Sequence, residues 1–374
     1  MTTLILHEPR IEDGDTEVVF DTDSEELPYR EKIVITRFAN GISGNRHDAI
    51  YGALAFLLAP HVEKHSMVTV RLPLPNTPEL VSYFERVLRE LLLDPSEITW
   101  DFQGEHAAIA PTYSAGLRPG LLYGGGVESC FALSQLQERS PVLLGIEGKN
   151  WMNSDPRLGS LKQDLLSELC EKKDLQMEPI YSNAFYALAL GDEYKNRWIT
   201  GPLFYWNCVP ACRHLGLASL LLSAEFEYAL IRQKIDRSLT PNSLPAFAHP
   251  SGPVFLPICY SLPKIELMER LSQTDFIHYL YSCFKNSDKR WCGKCGKCSR
   301  ISDFCEAIGL ERATIGMQEG IPSRHEDTEL AKFYRFFLDE RRAKNTKANG
   351  HDKAGATMDS GKSFWKLLSK VWRG

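Results

Sequence analysis

Nothing in this sequence is apolar for long enough to cross a bilayer. The longest apolar runs, 50–59 and 215–222, reach about half of the ~20 residues that a spanning helix needs, so a soluble protein is expected. A strong charge excess is also missing: the formal net charge of −5 gives no general attraction to nucleic acid, which could bind only through a local basic patch. The opening MTTLILHEPRIEDGDTE has neither the basic start nor the apolar centre of a secretory leader. Ten cysteines without such a leader point to the reducing cytoplasm, where thiols bind metals or fill cores instead of forming disulfides. Apolar residues themselves are not scarce: 374 residues at 43% hydrophobic and 24% charged exclude wholesale disorder and suffice for two packed domains.

What is present divides the chain into five parts. Residues 1–112 alternate strand-like stretches, Lys32 to Phe38 and Met67 to Leu72, with helix-like ones, His47 to Val62 and Pro78 to Leu93, and read as an accessory α/β domain. Residues 113–310 carry the segment GLLYGGGVESCFALSQL followed by the apolar run Val142 to Ile146. Strand, tight turn, helix and strand in that order make a βαβ unit. Further strands over Met177 to Tyr181 and Val254 to Cys259, separated by helical stretches, extend it to a doubly wound parallel sheet. A helical segment over 311–340 and a polar linker over 341–361 come next. The last residues, 362–374, form a basic amphipathic helix: Phe364, Trp365, Leu368, Val371 and Trp372 share one face, and Lys362, Lys366, Lys370 and Arg373 the other. Such a helix suits a groove on a protein partner or an anionic membrane surface, or folds back on its own domain. The sequence also leaves a homodimer open.

Two groups of residues carry chemistry. Gly124, Gly125 and Gly126 stand between a strand and a helix, where bare backbone N–H groups at the positive helix end can receive phosphate oxygens. Val127, Glu128 and Ser129 follow in the first helical turn, Ser129 adding a hydroxyl donor. The plain alternative is a tight turn that binds nothing. The second group is Cys283, Cys292, Cys295 and Cys298, spaced C-x8-C-x2-C-x2-C among Lys289, Arg290, Lys294 and Lys297, cations that would stabilise thiolates. An all-sulfur, closed set suits structural zinc; an iron–sulfur cluster and buried thiols without metal are the alternatives. Cys208 and Cys212 are one residue too far apart for a knuckle and read as core, with a catalytic thiol as the other option.

YGGGVES resembles the S-G-G-x-D-S signature of the PP-loop ATP pyrophosphatases, the adenine nucleotide alpha hydrolase-like superfamily, with Gly124 at the place of the first serine and Glu128 at that of the aspartate. Together with the four cysteines, the motif is similar to the 7-cyano-7-deazaguanine synthase group. VPACRHLGLASLLLSA resembles that group's V-P-G-R-N segment and the small-residue helix after it, which places Arg213 and His214 in the site. PICYSLPKIELMERL resembles its P-L-x-x-x-S-K-x-E-I stretch, which adds Lys264 and Glu266. The likeness spans 121–305. The GGG turn, SAEFEYAL and WCGKCGKC are also similar to ATP-dependent epimerases that invert a terminal glutamate on a muramoyl dipeptide.

Both relatives transfer AMP to a carboxylate. The resemblance therefore implies ATP on Gly124 to Ser129, Mg2+ held by the phosphates and Glu128, and structural Zn2+ on the cysteines. The substrate would be a small-molecule or peptide carboxylate, with Arg213, His214 and Lys264 as the catalytic candidates. A nucleotide-binding scaffold subunit without turnover is the reading from a different functional class.

Overall fold

A computed structural model describes residues 2–12, 15–22, 32–38, 54, 67–74, 78–90, 94–104, 116, 118–147, 156–182, 200–223, 243–249, 252–283, 290–321, 335, 338–339 and 341–343. The expected helix over His47 to Val62, apart from Leu54, the polar linker beyond residue 343, the terminal amphipathic helix and Lys289 lie outside the described residues, as does SAEFEYAL beyond Ser223; residues 341–343, expected in the linker, are helical.

The strands are β1 (Thr2–Leu6), β2 (Arg10–Glu12), β3 (Asp15–Thr22), β4 (Lys32–Phe38), β5 (Val68–Leu72), β6 (Ile98–Phe102), β7 (Pro119–Leu122), β8 (Val142–Glu147), β9 (Met177–Ser182), β10 (Ser219–Ser223) and β11 (Val254–Ile258). They form one sheet in the order β11-β10-β7-β8-β9-β4-β3-β1-β5-β6, with β2 on β3. Two blocks are parallel: β11, β10, β7, β8 and β9 at one end, and β1, β5 and β6 at the other. The antiparallel strands β3 and β4 join them. Because β4 pairs with β9 through Phe38 opposite Ile180, the N-terminal strands continue the main sheet, and residue 112 marks no break in it.

The helices are α1 (Pro78–Glu90), α2 (Val127–Leu136), α3 (Pro156–Lys173), α4 (Thr200–His214), α5 (Lys264–Leu271) and α6 (Gly296–Ile308). They cover the five-stranded block on both faces, which explains why its central strands are apolar at every position instead of at alternate ones. Leu121 and Leu143 pack with α2, α3, α5 and α6 in one core. Their neighbours Leu122 and Leu144 point the other way, to a core with α4 that extends to α1, β1 and β5. No described helix is long and apolar enough to cross a membrane.

One expected element is corrected. The small-residue helix after His214 is absent: the helix runs up to that point, as α4, and Ser219–Ser223 is a strand. Gly216 stops α4 in the left-handed conformation, at φ +62°. Its N–H bonds to Arg213 O and that of Leu217 to Cys212 O, the paired bonds of a Schellman cap. The run Leu220–Leu222 then pairs with β11, and Leu220 and Leu221 also with β7.

Candidate functional site

In chain order the parallel block reads 3-2-1-4-5, with β7 first and β8 and β10 on either side of it. The connections leave β7 in opposite directions, so a crevice opens beyond its carboxyl end, where open α/β sheets take their ligands. The three glycines stand there. Tyr123 N–H still bonds to Leu144 O at 3.0 Å; the chain then turns away. Gly124 is exposed, and a Cβ on it would meet nothing within 4 Å. Gly125 has φ +74°, and a Cβ there would lie 3.1 Å from Tyr281 O. Its own carbonyl accepts Tyr281 N–H at 2.6 Å. Glycine is therefore required at 125 on both counts.

Gly126 is the N-cap of α2 and, lacking a side chain, leaves the first-turn N–H groups uncapped. The Ser129 hydroxyl, expected to face a ligand, donates to Gly126 O at 3.1 Å, so it must rotate to serve as a phosphate donor. Ser223, at the end of β10, has a buried Oγ with no hydrogen-bond partner among the described residues. By strand alternation it shares a face with Leu221, which packs on the α2 side.

Lys264 lies at this crevice, brought there by the loop after β11. In that loop Cys259 holds φ +65°, a conformation that costs a non-glycine residue about 1–2 kcal/mol. Lys264 begins α5 and forms an ion pair with Glu128 in the first turn of α2; the side chains are only 9% and 12% exposed. Burial, with the Arg300 and Lys297 charges nearby, pushes the Lys264 ammonium well down. Cutting one member of such a pair strands the other charge, at a cost of about 3 kcal/mol. Lys264→Met is expected to destabilise the fold by about that amount, and Glu128→Gln in the same chain to restore most of it. Denaturant midpoints of the two single variants and the double variant check this.

The four cysteine sulfurs lie within 4.8 Å of one another. Tetrahedral zinc, with Zn–S of about 2.3 Å, needs sulfurs about 3.8 Å apart, and Cys292 and Cys298 are at 3.8 Å. Cys292 N–H points at Cys283 Sγ, Lys294 N–H at Cys292 Sγ and Cys298 N–H at Cys295 Sγ, each at 3.4 Å. These donors stabilise sulfur as thiolate. Gly293, at φ +66°, makes the tight bend of the knuckle, and Cys295 caps α6. The cluster could hold a metal ion such as zinc. Among the described residues no other group of three or more His, Cys, Asp or Glu side chains could, so magnesium at the turn would have to arrive with phosphate oxygens.

The cluster and the turn are joined by Tyr281. Its backbone N–H holds Gly125. Burial and the sulfurs of Cys283, Cys298 and Cys292 raise its phenol to about 12. Beneath, Tyr123 Oη and Cys130 Sγ meet at 3.2 Å, and burial raises the Cys130 thiol to about 12, which makes it inert at neutral pH.

Arg213 and His214, expected in the site, are not brought to it. They end α4 just before β10, whose first residue Ser219 pairs with Pro119, the first residue of β7. They therefore sit at the amino edge of the parallel block, about 13 Å of strand away from the glycine turn. Arg213 instead acts on a buried aromatic cluster, where Trp206 Nε1 donates to Tyr83 Oη at 2.8 Å and Tyr83 Oη donates to Phe247 O at 2.8 Å. Cys208 and Cys212 are fully buried on the same helix, and burial raises both thiols, as core cysteines require.

His249 stacks edge-on against Tyr83 in that cluster. Burial, then the Arg213 and Arg86 cations, lowers it from an ordinary 6.5 to about 4. The folded state thus favours neutral histidine, and this stability is present above pH 6.5 and lost as pH falls toward 4. After allowance for the ring's partial exposure, about 2 kcal/mol should disappear over that interval. His249→Asn should flatten the corresponding slope in melting temperature against pH.

An open hollow of about 590 Å³, lined by Glu168, Lys172, Asp275, His278 and Arg290 among others, lies by α3 and does not include the glycine turn. Sequence reasoning missed two features of the site: the backbone clasp from Tyr281, and the presence of Lys297 and Arg300 near Lys264. For the cations a signal existed, since a spacing of three at the start of a helix puts both on one face. Compared with known protein families, with characterised proteins and with solved structures, the chain matches none.

Proposed function

We propose that this protein binds ATP with its phosphates over Gly124–Ser129 and adenylates a carboxylate substrate, as the resemblance to the 7-cyano-7-deazaguanine synthase group implies. One observation carries the reading: an uncapped helix N-terminus with an open glycine approach lies at the switch point of a parallel sheet. The buried Glu128–Lys264 pair at the same place adds a cation that can follow phosphate charge. The space beside Gly124, where the family signature has serine, is open.

In the reaction, a substrate carboxylate oxygen forms a bond to the α-phosphorus as the bond from that phosphorus to the β-bridging oxygen breaks. Pyrophosphate leaves, and an acyl-adenylate remains. The chain's residues contribute position and charge: turn amides hold phosphate oxygens, and Lys264 neutralises charge gathering on the leaving group. Arg213 and His214 have no part in this step. Zinc on the four cysteines would be structural, keeping Tyr281 against Gly125.

The protein, incubated with ATP and magnesium over a panel of carboxylates, should release AMP and pyrophosphate. ADP and phosphate would contradict the chemistry. Tight ATP binding without turnover on any carboxylate would instead indicate a nucleotide-binding subunit.

A further inference from the structure

We infer that Lys297 and Arg300, on the first turns of α6, are phosphate-binding residues of the ATP site, and that the cysteine knuckle aims them. The inference rests on the nucleotide reading of the glycine turn. Cys295 caps α6, and Cys298 lies between the two cations. A spacing of three puts Lys297 and Arg300 on one helical face. Helix α6 packs on α5, and α5 on α2, and the Lys264–Glu128 pair joins the beginnings of α5 and α2.

The start of α6 is held beside the turn through the knuckle: Tyr281 N–H bonds to Gly125 O, and Cys283, two residues on, has its sulfur in one cluster with those of Cys295 and Cys298; the Lys297 and Arg300 charges also act on the Lys264 ammonium. Whatever else each bonds, their effect there is to concentrate positive potential beside Glu128. Beside the buried Lys264–Glu128 pair, like charges are brought together at a cost that a multiply charged anion relieves. A lone carboxylate would balance one cation; the chain of phosphates in ATP suits several. Two of the four cysteines, Cys295 and Cys298, stand at the two ends of the first turn of α6, so metal binding and the placement of these cations are one structural event.

The test compares ATP binding, by calorimetry in magnesium buffer, for wild type, Lys297→Gln, Arg300→Gln and the double variant, with metal content and melting temperature measured on each. A further variant, Arg118→Ala, removes a cation at the amino edge of β7, where Arg118 donates to Ser140 O. Each glutamine variant should bind ATP about 10-fold more weakly, the double variant about 100-fold, with metal content and melting temperature kept. Binding should also become less sensitive to salt, while Arg118→Ala stays like wild type. Unchanged affinity in the double variant would overturn the inference while leaving the nucleotide reading intact. Equal weakening in Arg118→Ala would reduce the effect to net charge and overturn it as well. Loss of metal together with ATP binding would make the two residues supports of the knuckle instead. A wild type that does not bind ATP would sink both readings.

Discussion

Gly126→Val should leave the fold nearly intact and cut ATP affinity at least ~100-fold, about 2.7 kcal/mol. The backbone at 126 is extended, at φ −75° and ψ 170°, which valine adopts without strain. The nearest atom to an added Cβ is Glu128 Oε2 at 3.4 Å, at the end of a side chain whose other oxygen pairs with Lys264. Weaker N-cap propensity would cost about 1 kcal/mol, a few degrees of melting temperature at most. The branched side chain would, however, stand over the first-turn N–H groups of α2, where a phosphate must approach. Melting curves and ATP titrations on the same preparation separate the two effects. Normal ATP binding in a folded Gly126→Val protein would reduce the glycines to an ordinary βα turn. Gly125→Val is the informative contrast, because its positive φ and its contact with Tyr281 O should make it lose stability and binding together.

Replacing Cys298 by serine should abolish metal binding and lower the melting temperature by about 10 °C or more. A structural metal contributes its binding energy directly to folding. Cys298 is fully buried in the company of Cys283 and Cys295, whose sulfurs push its thiol strongly up when no cation is present; a dication inverts that preference. The loss should be felt at the turn, since Tyr281 lies two residues from Cys283 and holds Gly125. Chelation of the wild-type protein should reproduce the variant's melting temperature. A metal-free wild type that melts at the same temperature as the loaded one would reduce the cysteines to core thiols.

The βαβ unit was legible because its signals are local. An apolar run, three glycines and a helix-period pattern lie within 120–146, and β7, α2 and β8 together span 119–147. Lys32–Phe38 was legible for the same reason. The stretch after Val209 was misleading: its small and apolar residues suit a buried strand as well as a helix, and Gly216 decided between them by ending α4. Of the proline-containing strands, β11 survives because it is at the sheet edge, and in the interior strand β9 Pro179 lies just outside the register with β4, which ends at Ile180. Arg213 and His214 were placed in the site by motif order alone, and motif order does not say at which end of a strand a residue emerges.

By itself the sequence determined where the glycine turn begins, that a helix follows it, and that four cysteines are spaced for one metal, because each depends on neighbours a few residues apart. Only the tertiary structure decided that β7 sits at the switch point, that Lys264 crosses to Glu128, that Tyr281 holds the turn, and that Arg213 lies at the far edge. Those facts depend on strand order and on burial between segments more than a hundred residues apart, which side-chain periodicity along the chain does not encode.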